Sequence, residues 1–381
     1  MKRQMTPKER ILAAIDHKPI DRIPTDYWGT GEVTQKLMTG LGVNSPMELW
    51  KALDMDKIIW AGPAYIGPDL STGDETMMDY WGVKSRPVTY AGNTGVYYEM
   101  YSHPIEKCEA IEEIEACYTW PKADWFDFSK VEEQCLNFAD YAIEAGYMAP
   151  FYMYTNIRGL EQTLVDLAAD EEFADYIIGR ICDFLYDYHK RLFEASNGKI
   201  DISQVTDDFG TQTGLMISTA MFDRYFKQHY QRLIKLVKNY NIRVFHHDDG
   251  AINDHARKLA PNVKRFLHSC GAIYDIVDLI IDSGVDVLNP IQWHLPGMDL
   301  QQLKHSFGKE LCFHGGIDNQ YVLPFGSADD VKMEVKTCLD ILGRDGTGYI
   351  LAPCHNIQSI TPIENIVTMY KTANEYGILC R

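Results

Sequence analysis

Three side chains have the types and placement of a metal-binding set. They are His268 and Cys270 in Leu267-His268-Ser269-Cys270-Gly271, and Cys354 in Ala352-Pro353-Cys354-His355-Asn356. Each group ends an apolar run that reads as a strand, and turn and helix signals follow it. One imidazole and two thiolates form a borderline-soft donor set that suits Zn²⁺. Three protein ligands leave the fourth tetrahedral position open, as catalytic zinc requires and structural zinc does not. The competing reading is two buried cysteines and a core histidine, since free cysteine is among the most buried residue types. Spacing alone does not choose between them, because the third ligand is distant in the chain.

The elements that must position these residues are short runs rich in Val, Ile and aromatics. They are Ile59–Ala61, Ala149–Tyr154, Ile202–Val205, Ile242–Phe245, Val263–Leu267, Val285–Leu288, Leu311–Phe313 and Tyr349–Leu351. Several are apolar almost throughout, as strands buried on both faces must be. Amphipathic stretches such as Phe222–Asn239 and Ser327–Leu342 alternate with them, and this repetition predicts a parallel sheet. No Gly-x-Gly-x-x-Gly follows the first strand, so a dinucleotide-binding sheet is unsupported.

A single (β/α)8 TIM barrel over residues 1–381, with an N-terminal helical and loop extension, fits the polar residues better. Asp207 and Asp208 follow one strand, His246 to Asp249 the next, and His268 and Cys270 the one after. Asn289 and Gln292, His314 and Asp318, and Cys354 and His355 follow the last three. Residues at the C-terminal ends of barrel strands converge on one mouth, where barrel enzymes keep their active sites.

Three helix starts, at Thr6-Pro7-Lys8-Glu9, Ser45-Pro46-Met47-Glu48 and Thr361-Pro362-Ile363-Glu364, match a capping box with proline at the first helical position. Gly377 is placed to stop the last of these helices. Gly67–Gly73 and Tyr90–Tyr97 read as long loops, and Asp16, His17, His103 and His189 as surface or capping residues.

The stretch from Phe245 to Ile252 resembles that from Phe266 to Ile273. Aligned on Gly-Ala-Ile, His247 stands over His268 and Asp249 over Cys270. Either the first pair supplies polar groups or an alternative metal site, or both are ordinary strand-to-turn junctions in which His and Asp bond the backbone.

The bulk numbers exclude several classes. With 36 Lys and Arg against 54 Asp and Glu, the formal charge of −18 argues against a nucleic-acid surface. No apolar run reaches the length of a membrane span, and Met1-Lys2-Arg3-Gln4-Met5 leads into a helix signal without a signal-peptide core. Nine cysteines without framework spacing fit a reducing compartment, so the expected location is the cytoplasm.

At this point the chain resembles the uroporphyrinogen decarboxylase superfamily and, within it, the corrinoid-dependent methyltransferases. The resemblance runs from Glu9-Arg10-Ile11-Leu12 and Asp21-Arg22-Ile23-Pro24 through Asp79-Tyr80-Trp81-Gly82, Asp207-Asp208-Phe209-Gly210 and Leu288-Asn289-Pro290 to Thr361-Pro362-Ile363-Glu364-Asn365. It implies a single (β/α)8 barrel. The zinc methyltransferases of this group share a His-x-Cys pair and a distant Cys, which map onto His268, Cys270 and Cys354. The decarboxylase branch differs: its arginine-rich Met-Arg-Gln-Ala-Gly-Arg segment is replaced here by Asp26-Tyr27-Trp28-Gly29-Thr30-Gly31-Glu32, which has no arginine to receive porphyrin carboxylates.

The resemblance implies movement of a methyl group between a corrinoid (cobalamin) carried by a partner protein and a small donor or acceptor, either a methoxylated compound or a thiol- or folate-type acceptor. His268, Cys270 and Cys354 are the expected zinc ligands. Asp207, Asp208, His247, His314 and His355 are the expected catalytic or substrate-orienting groups, and Asp249 and Gln292 face the cofactor; for each, a structural hydrogen bond is the competing role. Motifs at Trp293–Gly297, His314–Gln320 and Ala352–Gln358 lean toward methyl donors, whereas the His-x-Cys…Cys set leans toward thiol acceptors. The rival readings are a metal-free lyase on a carboxylated small molecule, a non-catalytic tetrapyrrole-binding protein, and a structural zinc completed by Asp249, His247 or Glu364.

Overall fold

The computed structural model describes residues 4–90, 95–209, 216–245, 266–268, 287–294 and 298–378, with residues 266–268 described by their backbone. The expected residues His247, Asp249 and Cys270 lie outside this set. The described strands are β1 (Ile59–Trp60), β2 (Ala64–Tyr65), β3 (Met77–Met78), β4 (Lys84–Tyr90), β5 (Gly95–Ser102), β6 (Phe126–Asp127), β7 (Ile143–Met148), β8 (Ile202–Val205), β9 (Arg243–Phe245), β10 (Phe266–His268), β11 (Val287–Asn289), β12 (Cys312–Ile317) and β13 (Tyr349–Pro353). The described residues fall into two compact units: those within Met1–Trp60, Phe138–Glu144 and Pro261–Arg381, and those within Ala61–Asn137 and Ala145–Ala260.

In the first unit β10, β11, β12 and β13 form one sheet in chain order, every pair parallel. All residues of β12 and β13 are buried, as parallel strands covered on both faces require. Gly315 in β12 sits at φ +118°, and a Cβ there would lie 3.0 Å from the Ile291 nitrogen; glycine lets β12 pass against the turn that follows β11. β1 pairs in parallel with the start of β7 through Ile59↔Ile143 and Trp60↔Glu144. In the second unit β7 neighbours β8, and β8 pairs in parallel with β9. Together the two units supply eight strands in two in-order runs of four, the strand complement of a (β/α)8 chain.

The helices follow the expected capping chemistry in part. Thr6 closes a full capping box on Pro7–Ile15: its hydroxyl accepts from Glu9 N at 3.1 Å, and its own N–H donates to the Glu9 carboxylate at 2.9 Å. Ser45 caps Pro46–Ala52 through Glu48 N, but the Glu48 carboxylate accepts from Asn44 N instead of closing the box. The third box does not form. The helix Ile363–Tyr376 has Pro362 at its N-cap, and the Thr361 hydroxyl is buried without bonding to it. Gly377 ends this helix, as expected. Ser327 closes a box with Asp330 on Ala328–Ile341. The amphipathic run from Phe222 begins as a π-helical turn, Phe222–Phe226, and continues as the α-helix Lys227–Asn239.

Three further expectations are corrected. Residues 149–154 are not a strand but the start of the helix Pro150–Arg158, and the strand is the preceding β7. Pro150 takes the first helical turn, and the Asp207 carboxylate accepts from Phe151 N at 2.8 Å and Tyr152 N at 2.5 Å, capping the helix from a distant part of the chain. Tyr90 and residues 95–97 are strand, not loop: β4 and β5 pair antiparallel from Lys84↔Ser102 to Tyr90↔Gly95. His189 is not at the surface. It is buried on the long helix Glu171–Ala195, in line with Phe173, Ile177, Ile181 and Leu185, and its Nδ1 bonds the Leu185 carbonyl at 2.7 Å.

Candidate functional site: strand ends of the first unit

The sheet β10-β11-β12-β13 and the turns after its strands carry five of the ten expected site residues: His268, Gln292, His314, Cys354 and His355. Cys354 follows β13 directly, anchored by its N–H to the Ile317 carbonyl at 2.9 Å. Its thiol is buried and donates to the Ile291 carbonyl, 3.2 Å away in the turn after β11. His268 closes β10, its backbone in register with Asn289 of β11. Gln292 is half-buried just beyond Asn289, and His355 is exposed next to Cys354. Among the described residues no three His, Cys, Asp or Glu side chains are grouped to hold a metal ion; the expected set includes Cys270, which is outside them. Donor chemistry is therefore the test of fit. A buried thiol at one strand end and a histidine at another, in one parallel sheet, suit a soft divalent ion.

The described side chains build a second feature, in which Asn289 and His314 were expected from the sequence and Asp26 was not. Asp26, Asn289 and His314 are all fully buried. The Asn289 amide nitrogen stands 2.6 Å from His314 Nδ1, and His314 Nε2 stands 3.2 Å from the Asp26 carboxylate. The carboxylate can only accept, so His314 Nε2–H donates to Asp26. Both ring nitrogens are engaged. The ring also lies against Trp28, with centroids 5.4 Å apart.

Asp26 takes three further N–H bonds, from Tyr27 N at 2.8 Å, Ile58 N at 3.1 Å and Trp28 Nε1 at 2.8 Å, and Lys57 Nζ stands 3.6 Å away. Burial alone would raise its pKa. The Lys57 charge, the His314 hydrogen bond and the Ile58 N–H outweigh it and hold the carboxyl well below the usual range. Its backbone is tied to the sheet, since Asp26 N donates to the Leu351 carbonyl of β13 at 2.9 Å. The signal for Asp26 was present in the sequence, as an acidic residue directly before the aromatic pair Tyr27-Trp28.

Beyond β12, Glu334 pins the loop. Its carboxylate accepts from Asp318 N at 2.7 Å and meets His294 Nε2 at 3.3 Å, while Asp318 itself caps Gln320 N at 2.6 Å. Burial pushes Glu334 above the usual carboxyl range. Cys338, fully buried and bonded to the Gly316 carbonyl, is pushed far up by burial and stays a thiol.

Asp207 and Asp208 belong to the second unit. Asp207 is buried, caps the helix Pro150–Arg158 and accepts from the Tyr230 hydroxyl, which makes it a structural anchor as it stands; Asp208 is half-buried beside it.

The sequence profile of the uroporphyrinogen decarboxylase (URO-D) family matches residues 139–376. Methylcobamide:CoM methyltransferase MtbA of Methanosarcina mazei is 21% identical over 381 residues, covering 98% of this chain and 99% of that one. MtbA of Methanosarcina acetivorans is 21% identical over 379 residues, with the same coverage. A uroporphyrinogen decarboxylase of Trichodesmium erythraeum is 27% identical, but over 32% of each chain. Among solved structures, a methyltransferase from Methanosarcina mazei superposes with a TM-score of 0.59 at 18% identity, covering 98% of this chain and 99% of its own. That likeness, with the two in-order runs of four strands, sets the fold class as the expected α/β type, a (β/α)8 barrel. Among the described residues no helix is long and apolar enough to cross a membrane.

Proposed function

We propose, from the premise that this chain belongs to the uroporphyrinogen decarboxylase family, that it is a corrinoid-dependent methyltransferase and not a porphyrinogen decarboxylase. It moves a methyl group between a small substrate and a corrinoid carried by a partner protein, with residues 1–381 acting as one domain. Zinc is held by His268, Cys270 and Cys354. The observation that carries this reading is the placement of Cys354: a buried thiol at the C-terminal end of β13, in the same parallel sheet whose β10 ends on His268. Full-length similarity to two methylcobamide:CoM methyltransferases supports it.

Zinc, when bound, supplies Lewis acidity that favours the thiolate of a thiol acceptor or polarises the C–O bond of a methoxylated donor. The chain's own residues do the rest. Asn289 and Asp26 hold His314 from both sides, so its ring is oriented within β12, where it stands as a positioning group for the site. Gln292 and His355, beside Asn289 and Cys354, orient the substrate; His247 and Asp249, outside the described residues, keep the substrate- and cofactor-facing roles expected from the sequence. Asp207 and Asp208 fix the second unit's strand end.

The decarboxylase alternative is disfavoured by charge. The segment that carries porphyrin-binding arginines in that branch presents here an ionised Asp26 held among N–H donors. A polycarboxylate needs cations at that place.

The test is an assay of the zinc-loaded protein with methylcobalamin and a thiol acceptor, and in the reverse direction with reduced corrinoid and methoxylated donors. Spectral conversion of the corrinoid in either direction, lost in Cys354→Ser, supports the reading. No conversion in either direction, with release of CO₂ from a carboxylated tetrapyrrole, contradicts it.

A further inference from the structure

Apart from the zinc motif, the chain holds a second pair of thiols. Cys108 and Cys117 lie in the second unit with their sulfurs 3.6 Å apart, both free. Neither belongs to a strand end and neither has a part in the function proposed above. Their backbones are fixed independently. Arg158, paired with Asp166 at 2.9 Å, donates to the carbonyls of Ile105 at 2.6 Å, Glu106 at 2.9 Å and Cys108 at 2.7 Å, clamping the turn that carries the first thiol. Cys117 is the last residue of the helix Ile111–Cys117, whose end is tied down by Tyr118 N to the Ile114 carbonyl and by the Tyr118 hydroxyl to the Trp81 carbonyl at 2.8 Å. Cys117 is exposed whereas Cys108 is buried.

A disulfide needs the sulfurs at about 2.05 Å. At 3.6 Å the two sulfurs are already neighbours, so the bond would join groups that the fold brings together. We propose that Cys108 and Cys117 form a reversible intramolecular disulfide, a thiol-modification site on the second unit distinct from the metal-binding cysteines.

With a small-molecule disulfide such as oxidised glutathione as oxidant, the steps balance. The Cys117 thiolate, the one solvent reaches, attacks one glutathione sulfur; the S–S bond of the oxidant breaks and one glutathione thiolate leaves. The Cys108 thiolate then attacks Cys117 Sγ and expels the second glutathione. The protein loses two electrons and two protons, and the oxidant is reduced to two thiols. The asymmetry of the pair sets this order. Burial first, and contact with Cys117 second, push the Cys108 thiol up to about 11, so it acts as the resolving group, not the first nucleophile.

The sequence makes the test direct. Trypsin cleavage after Lys107 and Lys122 releases residues 108–122 as one peptide that contains both cysteines and no other. The folded full-length protein is equilibrated in glutathione buffers from fully reduced to fully oxidised, alkylated, digested and weighed. The proposal expects peptide 108–122 to lose two hydrogens in oxidising buffer and regain them with dithiothreitol, while the buried Cys135, Cys182 and Cys312 stay reduced. The Cys108→Ser protein, which has no resolving thiol, should accumulate glutathione on Cys117. Two results would overturn the proposal: both thiols remaining alkylatable in the oxidised buffer, or wild type carrying as much glutathione on Cys117 as Cys108→Ser does.

Discussion

His314 donates through Nε2 to the Asp26 carboxylate at 3.2 Å, joining residues 288 positions apart in the chain. The pair has no solvent exposure on either side. Asp26 therefore must stay ionised without water, and it does so by collecting the N–H groups of Tyr27, Ile58 and Trp28. A buried anion with satisfied lone pairs fixes its surroundings, and the group it fixes most closely is a histidine inside β12, beyond the Leu311–Phe313 run after which the sequence placed it.

Asp26→Asn keeps the shape and removes the charge. It should cost about 3 kcal/mol at pH 7, since the bonds lost are charge-assisted and their donors stay buried. Asp26 has its folded pKa depressed, so its contribution is complete above the ordinary carboxyl range and is lost as pH falls through and below that range. Urea unfolding of wild type and variant should show a stability gap that is constant from neutral pH to about pH 5 and narrows in more acid solution. A gap independent of pH would show that the charge has no part in it.

His189 gives a second pH signature in a different window. Burial lowers its pKa from 6.5 to about 4, and its Nδ1–H is spent on the Leu185 carbonyl. The unfolded chain takes up a proton there as pH falls below 6.5 and the folded chain does not until about 4. Stability present above 6.5 is thus lost between those values, on the order of 3 kcal/mol at 1.36 kcal/mol per unit. His189→Gln should flatten the pH dependence of unfolding in that window, measured by the urea midpoint. An unchanged slope would place the titration elsewhere.

Asp56 is the shared anion of a buried ionic cluster. It accepts from Arg10, from Arg22 Nη1 at 2.6 Å and from Thr25 N at 2.9 Å, while Arg10 also pairs with Asp21 at 2.6 Å. Asp56→Ala leaves two guanidiniums without their common partner and should cost about 3–5 kcal/mol. Thermal unfolding would report a large fall in Tm. Asp56→Asn, which can still accept one bond, should fall between the variant and wild type.

Much of the positioning framework was legible in the sequence because apolar runs state their burial directly. Tyr349–Leu351 and Ile202–Val205 read as strands and lie in β13 and β8. β7 was not legible. Its run Ile-Glu-Ala-Gly-Tyr-Met is broken by Glu144 and by Gly146, and that glycine is required: a Cβ there would lie 2.5 Å from His189 Cδ2 and 2.9 Å from Ser203 Oγ. The helix Pro150–Arg158 was hidden for a related reason, since its cap comes from Asp207 and not from its own N-terminal neighbour. His189 did carry a readable sign, the four-residue spacing it shares with Ile181 and Leu185. The zinc motif was read from donor chemistry, whereas the Asp26–His314–Asn289 network joins three distant segments, and pairing of that kind is set only by the tertiary fold.

We propose that His268, Cys270 and Cys354 hold one zinc ion, and metal content decides it. Protein purified without chelator should contain about one zinc per chain, as a single three-ligand site requires, and Cys270→Ser and Cys354→Ser proteins of unchanged fold should lose it. Absence of zinc in wild type that also fails to take up the added ion, or full retention in both variants, would contradict the account.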